Sequence, residues 1–229
     1  MELKRFGSAG HLDLQLAAFV GNTLSEDIRR FGQAILVVSG GRTPIGLFQE
    51  LACLNIDWAS VTVTLADERW VEDSHIDSNA KLVRENLLVN RAKAAKFVPL
   101  KNDEKTAAIG QRICAERLDQ LGKFSLVVLG MGEDGHTASL FRNSPRLDLG
   151  LDLGSTQPCI AIDPVAAPHE RMTMTLPRLL NSQKLVLHIV GENKFKMLEK
   201  AKTVADVFRY PVYALLQQKT TPIEIFYAP

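Results

Sequence analysis

Three features of the 229-residue sequence predict an α/β fold with a mostly parallel sheet flanked by helices on both faces. Short apolar runs of the kind found in strands buried on both faces recur at Ala34–Val38, Phe124–Leu129 and residues 185–190. Stretches with helical apolar spacing alternate with them. Each of the three runs ends in a polar turn containing glycine, and ligands of open α/β sheets bind beyond the carboxyl ends of the strands.

In chain order, Leu12, Leu16, Val20, Leu24, Ile28 and Phe31 form one stripe of a long first helix. The strand at 34–38 ends in Ser39-Gly40-Gly41-Arg42-Thr43-Pro44. Thr43 is expected as the N-cap and Pro44 as the first residue of a helix whose apolar face is Ile45, Phe48 and Leu51. A strand, a glycine turn and a helix start together make a phosphate site, because free N–H groups and the helix dipole favour an anion. The β-branched run 61–66 leads into Asp67-Glu68-Arg69-Trp70, where extended backbone sends Asp67 and Arg69 to one side and Glu68 to the other. His75 is expected to order the loop that follows, and Ser78 or Asn79 to cap the helix carrying Leu82, Val83 and Leu87.

A short strand is expected at 97–100, then a helix marked by Ile109, Ile113, Leu118 and Leu121. Residues 143–157 read as a loop or irregular crossing, 159–162 as a strand and 164–168 as a loop. His188, inside the run 185–190, reads as a satisfied core histidine. Lys194 stands at a helix start just beyond a strand, where a cation opposes the dipole and calls for an anion. A helix from Pro211 and a strand at 223–227 complete a single domain spanning 1–229.

Composition narrows the function classes. With 27 basic and 26 acidic side chains the net charge is +1, so no global field recruits nucleic acid or an anionic membrane. No apolar run reaches the roughly 20 residues of a membrane helix, and Glu2, Lys4 and Arg5 precede no signal-type apolar core, so a cytoplasmic protein is expected. Cys53, Cys114 and Cys159 fit neither a disulfide framework nor a metal motif, and each is expected to be a reduced, buried small hydrophobe.

The richest chemistry lies at 130–141, Gly-Met-Gly-Glu-Asp-Gly-His-Thr-Ala-Ser-Leu-Phe. Gly130, Gly132 and Gly135 have the spacing of a dinucleotide fingerprint. Glu133 and Asp134 would however sit beside a pyrophosphate, His136 would fill the helix entrance, and the motif follows at least three strands instead of opening the fold. General acid–base chemistry suits it better, since a histidine titrates near neutrality and a carboxylate can orient its ring. Either Asp134, two residues away, or Asp67, from a neighbouring strand, supplies that carboxylate. One histidine among carboxylates, without HxH, HxxxH or paired cysteines, predicts no metal requirement.

Taken together, 39–44, Asp67-Glu68-Arg69-Trp70-Val71 with His75 and Asp77-Ser78-Asn79, 130–141 and Glu170-Arg171-Met172-Thr173 resemble the 6-phosphogluconolactonases. The resemblance implies a Rossmann-like fold shared with glucosamine-6-phosphate deaminases. It implies hydrolysis of 6-phospho-D-glucono-1,5-lactone without a cofactor. A monomer or small homo-oligomer is expected. His136 would be the general base, with Asp67 and Asp134 beside it. Ser39, Gly40, Gly41, Arg42, Thr43, Arg69, His75, Gly132, Arg171 and Lys194 would bind the substrate and its phosphate. The deaminases generally carry Asp-Glu-Tyr where this chain has Asp67-Glu68-Arg69, which favours the lactonase. Arg42, Arg142 and His169 depart from the lactonase pattern at positions usually held by a small hydroxyl residue, a proline and a proline. A sugar-phosphate-binding regulator without chemistry is the alternative, and the intact His136 and Asp67 weigh against it.

Overall fold

The computed structural model describes residues 1–164 and 167–229. Among the described residues there are ten strands, in chain order β1 (Glu2–Arg5), β2 (Ala34–Val38), β3 (Val61–Leu65), β4 (Asp67–Arg69), β5 (Lys96–Val98), β6 (Phe124–Leu129), β7 (Cys159–Ile162), β8 (Arg171–Met174), β9 (Ser182–Val190) and β10 (Ile223–Ala228). Seven of them form one sheet in the order β1-β10-β9-β6-β2-β3-β5, and every neighbouring pair in it is parallel. The α-helices among the described residues are α1 (Ala9–Phe31), α2 (Ile45–Cys53), α3 (Asn79–Asn86), α4 (Ala107–Asp119), α5 (Leu147–Leu151), α6 (Leu176–Leu180), α7 (Glu192–Val204) and α8 (Val212–Gln217).

The expected alternation is present because β2 and β6 are buried at every position and apolar at every position but Ser125. That serine is not an error in the core: its hydroxyl accepts a hydrogen bond from the Ile35 N–H at 3.0 Å, where the two strands meet. Helix α1 starts because Ser8 accepts from the His11 N–H and stops because Gly32 takes φ +75°. Its stripe of Leu12, Leu16, Val20 and Leu24 is fully buried, each side chain stabilising the fold by roughly 1.5–3 kcal/mol. Phe31, expected on that stripe, is exposed, because the helix ends before its last turn reaches the core.

Several other expectations need correcting. The antiparallel sheet β4-β8-β7 is additional to the parallel one; β4 is only three residues long and too short to be read as a strand of its own. Strand β1, pairing with β10, is a further strand whose sequence has no apolar periodicity to mark it. In α4 the buried face is Ala107, Gly110, Cys114 and Leu118, and Ile109 is exposed, because small residues let the helix approach Trp70 closely. Helix α2 begins at Ile45 with Pro44 as its cap residue, and the Thr43 side chain makes no capping bond. Residues 143–157 contain the short α5. Cys114 and Cys159 are buried as expected, but Cys53 is exposed at the end of α2. The loop expected at 164–168 lies partly outside the described residues. Among the described residues, no helix is long and apolar enough to cross a membrane.

The C-terminal end of α4 is held by a buried cation. Arg178, on α6, donates from Nη2 to the carbonyls of Leu118 (3.1 Å), Leu121 (2.7 Å) and Gly122 (3.1 Å), and its guanidinium lies 3.8 Å from the centre of the Phe124 ring. A cation there satisfies carbonyls that a helix end leaves free. Arg178→Met is expected to lower the unfolding free energy by about 2–4 kcal/mol, seen as a lower urea midpoint at unchanged slope.

Candidate active site

Strands β2 and β6 are neighbours at the middle of the sheet, and the connections leaving them run to opposite sides: β2 leads to β3, and β6 leads on to β9. This is a topological switch point, and a crevice opens there beyond the carboxyl ends. The crevice is a cavity of about 300 Å³ walled by the 39–44 turn, by the turn from Gly130 to His136, and by Asp67, Arg69, Arg171 and Lys194.

The histidine turn is built around its glycines. A Cβ on Gly132 would lie 2.2 Å from Cε1 of His136, so only glycine leaves room for the ring. Gly135 takes φ +85°, which reverses the chain and returns the His136 carbonyl to the Gly132 N–H at 3.0 Å. The Thr137 hydroxyl donates to the Gly130 carbonyl at 2.9 Å and closes the other side of the turn. His136 Nδ1 lies 2.5 Å from Asp134 Oδ1, and the His136 N–H reaches the same oxygen at 3.2 Å. Burial alone would raise the Asp134 carboxyl; the hydrogen bonds and charge of His136 outweigh it and hold the group down at about 2. An ionised Asp134 makes Nδ1 the protonated nitrogen, leaving Nε2 as the free base. The imidazole also packs on Phe141, with ring centres 4.2 Å apart.

The choice left open between two aspartates is therefore resolved as contact geometry: Asp134 touches the ring. Asp67 instead accepts from the Ser139 hydroxyl at 2.6 Å and lines the cavity. Its backbone carbonyl accepts from the Asn79 amide at 2.9 Å, and that amide occupies the space a side chain on Gly40 would need.

The small antiparallel sheet supplies the charge. As the alternation required, Asp67 and Arg69 face the cavity while Glu68 turns away. Glu68 accepts from the backbone N–H groups of Arg69, Asn79 and Ala80, which fastens the start of α3 beneath the strand. Burial pushes Glu68 up to about 7 against those hydrogen bonds, with the Asp67 charge adding to the rise. Arg69 stands directly opposite Arg171 in the β4–β8 register. Like charges placed across a strand pair are destabilising. Burial and the Arg69 charge both lower the Arg171 pKa, while Asp67, Asp77 and Glu68 oppose them. The buried Nε atoms of Arg69 and Arg171 and the buried Ser39 hydroxyl have no hydrogen-bond partner among the described residues. Lys194 repeats the pattern across the cavity: its Nζ donates to the Thr43 hydroxyl at 3.2 Å, and burial lowers its pKa, with Glu133 opposing and Arg42 adding to the fall. Four cations and unpaired donors around one cavity make an anion site.

Two expected site residues lie elsewhere. Asp134 does not line the cavity and acts on it only through His136. His75 lies outside the cavity too, where its Nδ1 accepts from the Asp77 N–H at 3.1 Å, an ordering role for the loop. His188 was expected to be satisfied in the core, yet neither ring nitrogen has a hydrogen bond among the described residues and Nε2 is 3.4 Å from Asp13 Oδ1. Burial, with Lys194 nearby, pushes His188 down to about 4; burial and Glu50 raise Asp13 to about 6. The imidazole is therefore a neutral part of the cavity wall at pH 7.

A family model described as glucosamine-6-phosphate isomerases/6-phosphogluconolactonase matches residues 8–223. The chain belongs to this family. A 6-phosphogluconolactonase of Pseudomonas aeruginosa is 40% identical over 228 residues, covering 99% of this chain and 94% of its own length. One from Rhizobium meliloti is 40% identical over 215 residues, covering 93% of each. The crystal structure of a 6-phosphogluconolactonase from Shewanella baltica OS155 superposes with a TM-score of 0.98 at 44% identity, covering 100% of this chain and 98% of the other. A monomeric glucosamine-6-phosphate deaminase, 18% identical with a TM-score of 0.81 over 98% of this chain and 97% of its own, shares the fold.

Within this family frame, the parts missed at the sequence level are the supports: Glu68 beneath α3, Asn79 over Gly40, and Ser139 on Asp67. Ser139 and Asn79 stand in the quoted motifs, but pairing them with Asp67 needs a contact across 72 and 12 residues that no periodicity reveals. Gly132→Ala is expected to fold with a stability loss of about 1 kcal/mol while displacing the His136 ring, and misplacement on the ångström scale costs roughly 100-fold in turnover. Because Asp134 is depressed in the folded state, its stabilising contribution is complete above its ordinary value near 3.8 and disappears as pH falls through about 2. Urea titrations of the wild type and Asp134→Asn should thus differ most above pH 4 and converge toward pH 2.

Proposed function

We propose that this chain hydrolyses 6-phospho-D-glucono-1,5-lactone to 6-phospho-D-gluconate, the lactonase step of the oxidative pentose phosphate pathway, by general-base activation of water. The observation that carries the reading is the opposition of Arg69 and Arg171, whose Nε atoms and the Ser39 hydroxyl have no partner among the described residues, in the same cavity as His136 with Asp134 behind its ring. A sugar phosphate offers a dianion for the first group and an ester carbonyl for the second. The names of the relatives, 36–40% identical over most of the chain, support the same substrate.

In the proposed reaction, Nε2 of His136 takes a proton from water as the oxygen attacks the lactone carbonyl. Asp134 holds the ring by Nδ1 and stabilises the imidazolium that forms. The tetrahedral oxyanion is met by backbone N–H groups of the glycine turns. Collapse breaks the bond from the carbonyl carbon to the ring oxygen, which leaves as the 5-hydroxyl by taking back the proton held on His136 Nε2, restoring the free base. Asp67, fixed by Ser139, faces the sugar hydroxyls. Arg69 and Arg171 hold the phosphate through guanidinium forks, and Lys194 adds a point charge beside the Gly40-Gly41 turn. No step calls for a cofactor. The substrate is a small diffusible molecule, and we place the enzyme in the cytoplasm as a monomer or small homo-oligomer.

General-base assistance contributes roughly 100- to 10,000-fold. His136→Ala is expected to fall by that factor toward the spontaneous rate in an assay coupled to 6-phosphogluconate dehydrogenase; turnover equal to wild type would refute the assignment. Arg171→Ala should chiefly raise KM and erase the preference for phosphorylated over plain gluconolactone. Ammonia released from glucosamine 6-phosphate in a parallel assay would identify a deaminase instead, and no turnover of either substrate a binding protein.

A further inference from the structure

Outside the catalytic cavity, His75, Asp77 and His169 bring one ligand atom each within 4.8 Å of one another. They come from two segments: His75 and Asp77 from the loop between β4 and α3, His169 from the turn before β8. Asp77 Oδ2 is 3.0 Å from His169 Nε2 and 3.8 Å from His75 Nδ1. The imidazoles meet edge to face with centres 5.3 Å apart. Bonds of about 2.0–2.1 Å from nitrogen and oxygen donors to a tetrahedral ion place neighbouring donors roughly 3.3 Å apart, and the two separations straddle that figure. His169 is held at φ +70°, a conformation that costs a non-glycine residue on the order of 1 kcal/mol and turns its ring toward Asp77.

We propose that His75, Asp77 and His169 form a site for a borderline divalent transition ion of the zinc type, at the rim of the catalytic cavity and separate from the catalytic histidine. Two imidazoles and one carboxylate are a three-ligand set that leaves a fourth position to water. The exposed His75 ring supplies that opening. Its Nδ1 exchanges the Asp77 N–H for the ion. The ion would clip the loop to the strand that carries Arg171. The same loop already binds the cavity, since Arg69 Nη1 donates to the Asp77 carbonyl at 2.6 Å. The site therefore orders the loop that holds one of the two facing arginines. The inference does not rest on the reaction proposed above.

The test is a competition titration of Zn2+ against a chromogenic chelator with the full chain, in wild type, His169→Asn, His75→Ala and His136→Ala. Asparagine tolerates the left-handed backbone at position 169, so that variant keeps the fold while losing the imidazole. One equivalent of Zn2+ should bind the wild type and His136→Ala alike, with affinity reduced on the order of 100-fold in His169→Asn and His75→Ala. Zn2+ at a hundredfold excess over Kd should raise the wild-type melting temperature by about 5–10 °C and leave that of His169→Asn nearly unmoved. No binding by the wild type, equal binding by all four proteins, or loss in His136→Ala with retention in His169→Asn would overturn the proposal. The first result would leave the three side chains as a hydrogen-bonded clasp.

Discussion

The parallel pairing of β2 with β6 is the constraint from which the site follows. Leu36, Val37 and Val38 lie against Leu126, Val127 and Val128, every one of them buried. The Ser39 N–H extends the ladder by one bond, to the Val128 carbonyl at 3.1 Å. Because the chain leaves these strands toward opposite halves of the sheet, two polar turns are held side by side and line one cavity. One turn brings the serine and glycines, the other the histidine. A slip of one residue in that register would turn apolar side chains out of alignment along the whole strand, so the rigid core fixes the distance between the turns.

The charge in the crevice comes from a second, smaller pairing. Strands β4 and β8 are short and antiparallel, and their register sets Arg69 against Arg171 and Asp67 against Thr173. A protein selected for stability alone would not face two arginines across a ladder and leave their inner nitrogens unbonded. The arrangement is sustained by its surroundings: Glu68 is fastened beneath α3, Asp67 is tied to Ser139, and Trp70 is locked by its indole N–H to the Glu104 carbonyl at 2.9 Å. Functional sites commonly hold such locally unfavourable arrangements, over-determined by their neighbours. In the proposed reading, a bound dianion would relieve the repulsion and satisfy the donors in one step, favouring phosphorylated over plain ligands.

How much of this was legible in the sequence depended on range. Apolar runs reported β2, β6 and most of β9 because strands buried on both faces must be apolar throughout. Alternation in Asp67-Glu68-Arg69 gave the facing of those three side chains, since the period of two is a local rule. The histidine turn could be read because its glycines and acids are adjacent. The partners were not legible: Ser139 on Asp67, Asn79 over Gly40 and the Arg69–Arg171 opposition are contacts between distant segments, fixed by a sheet too short to announce itself. His75 was drawn into the site by its place in a motif, yet the loop turns it outward. Helix α4 departs from the expected stripe because, apart from Leu118, its buried face is made of alanine, glycine and cysteine, which carry little weight in a hydrophobic pattern.

The central claim is an orientation: phosphate against the arginines, lactone carbon against His136. A crystal structure with bound 6-phosphogluconate measures it directly. Phosphate oxygens are expected within hydrogen-bonding distance of Arg69 Nε, Arg171 Nε and the Ser39 hydroxyl, and the product carboxylate beside His136 Nε2. A carboxylate seated between the two arginines, with the phosphate against His136, would contradict it.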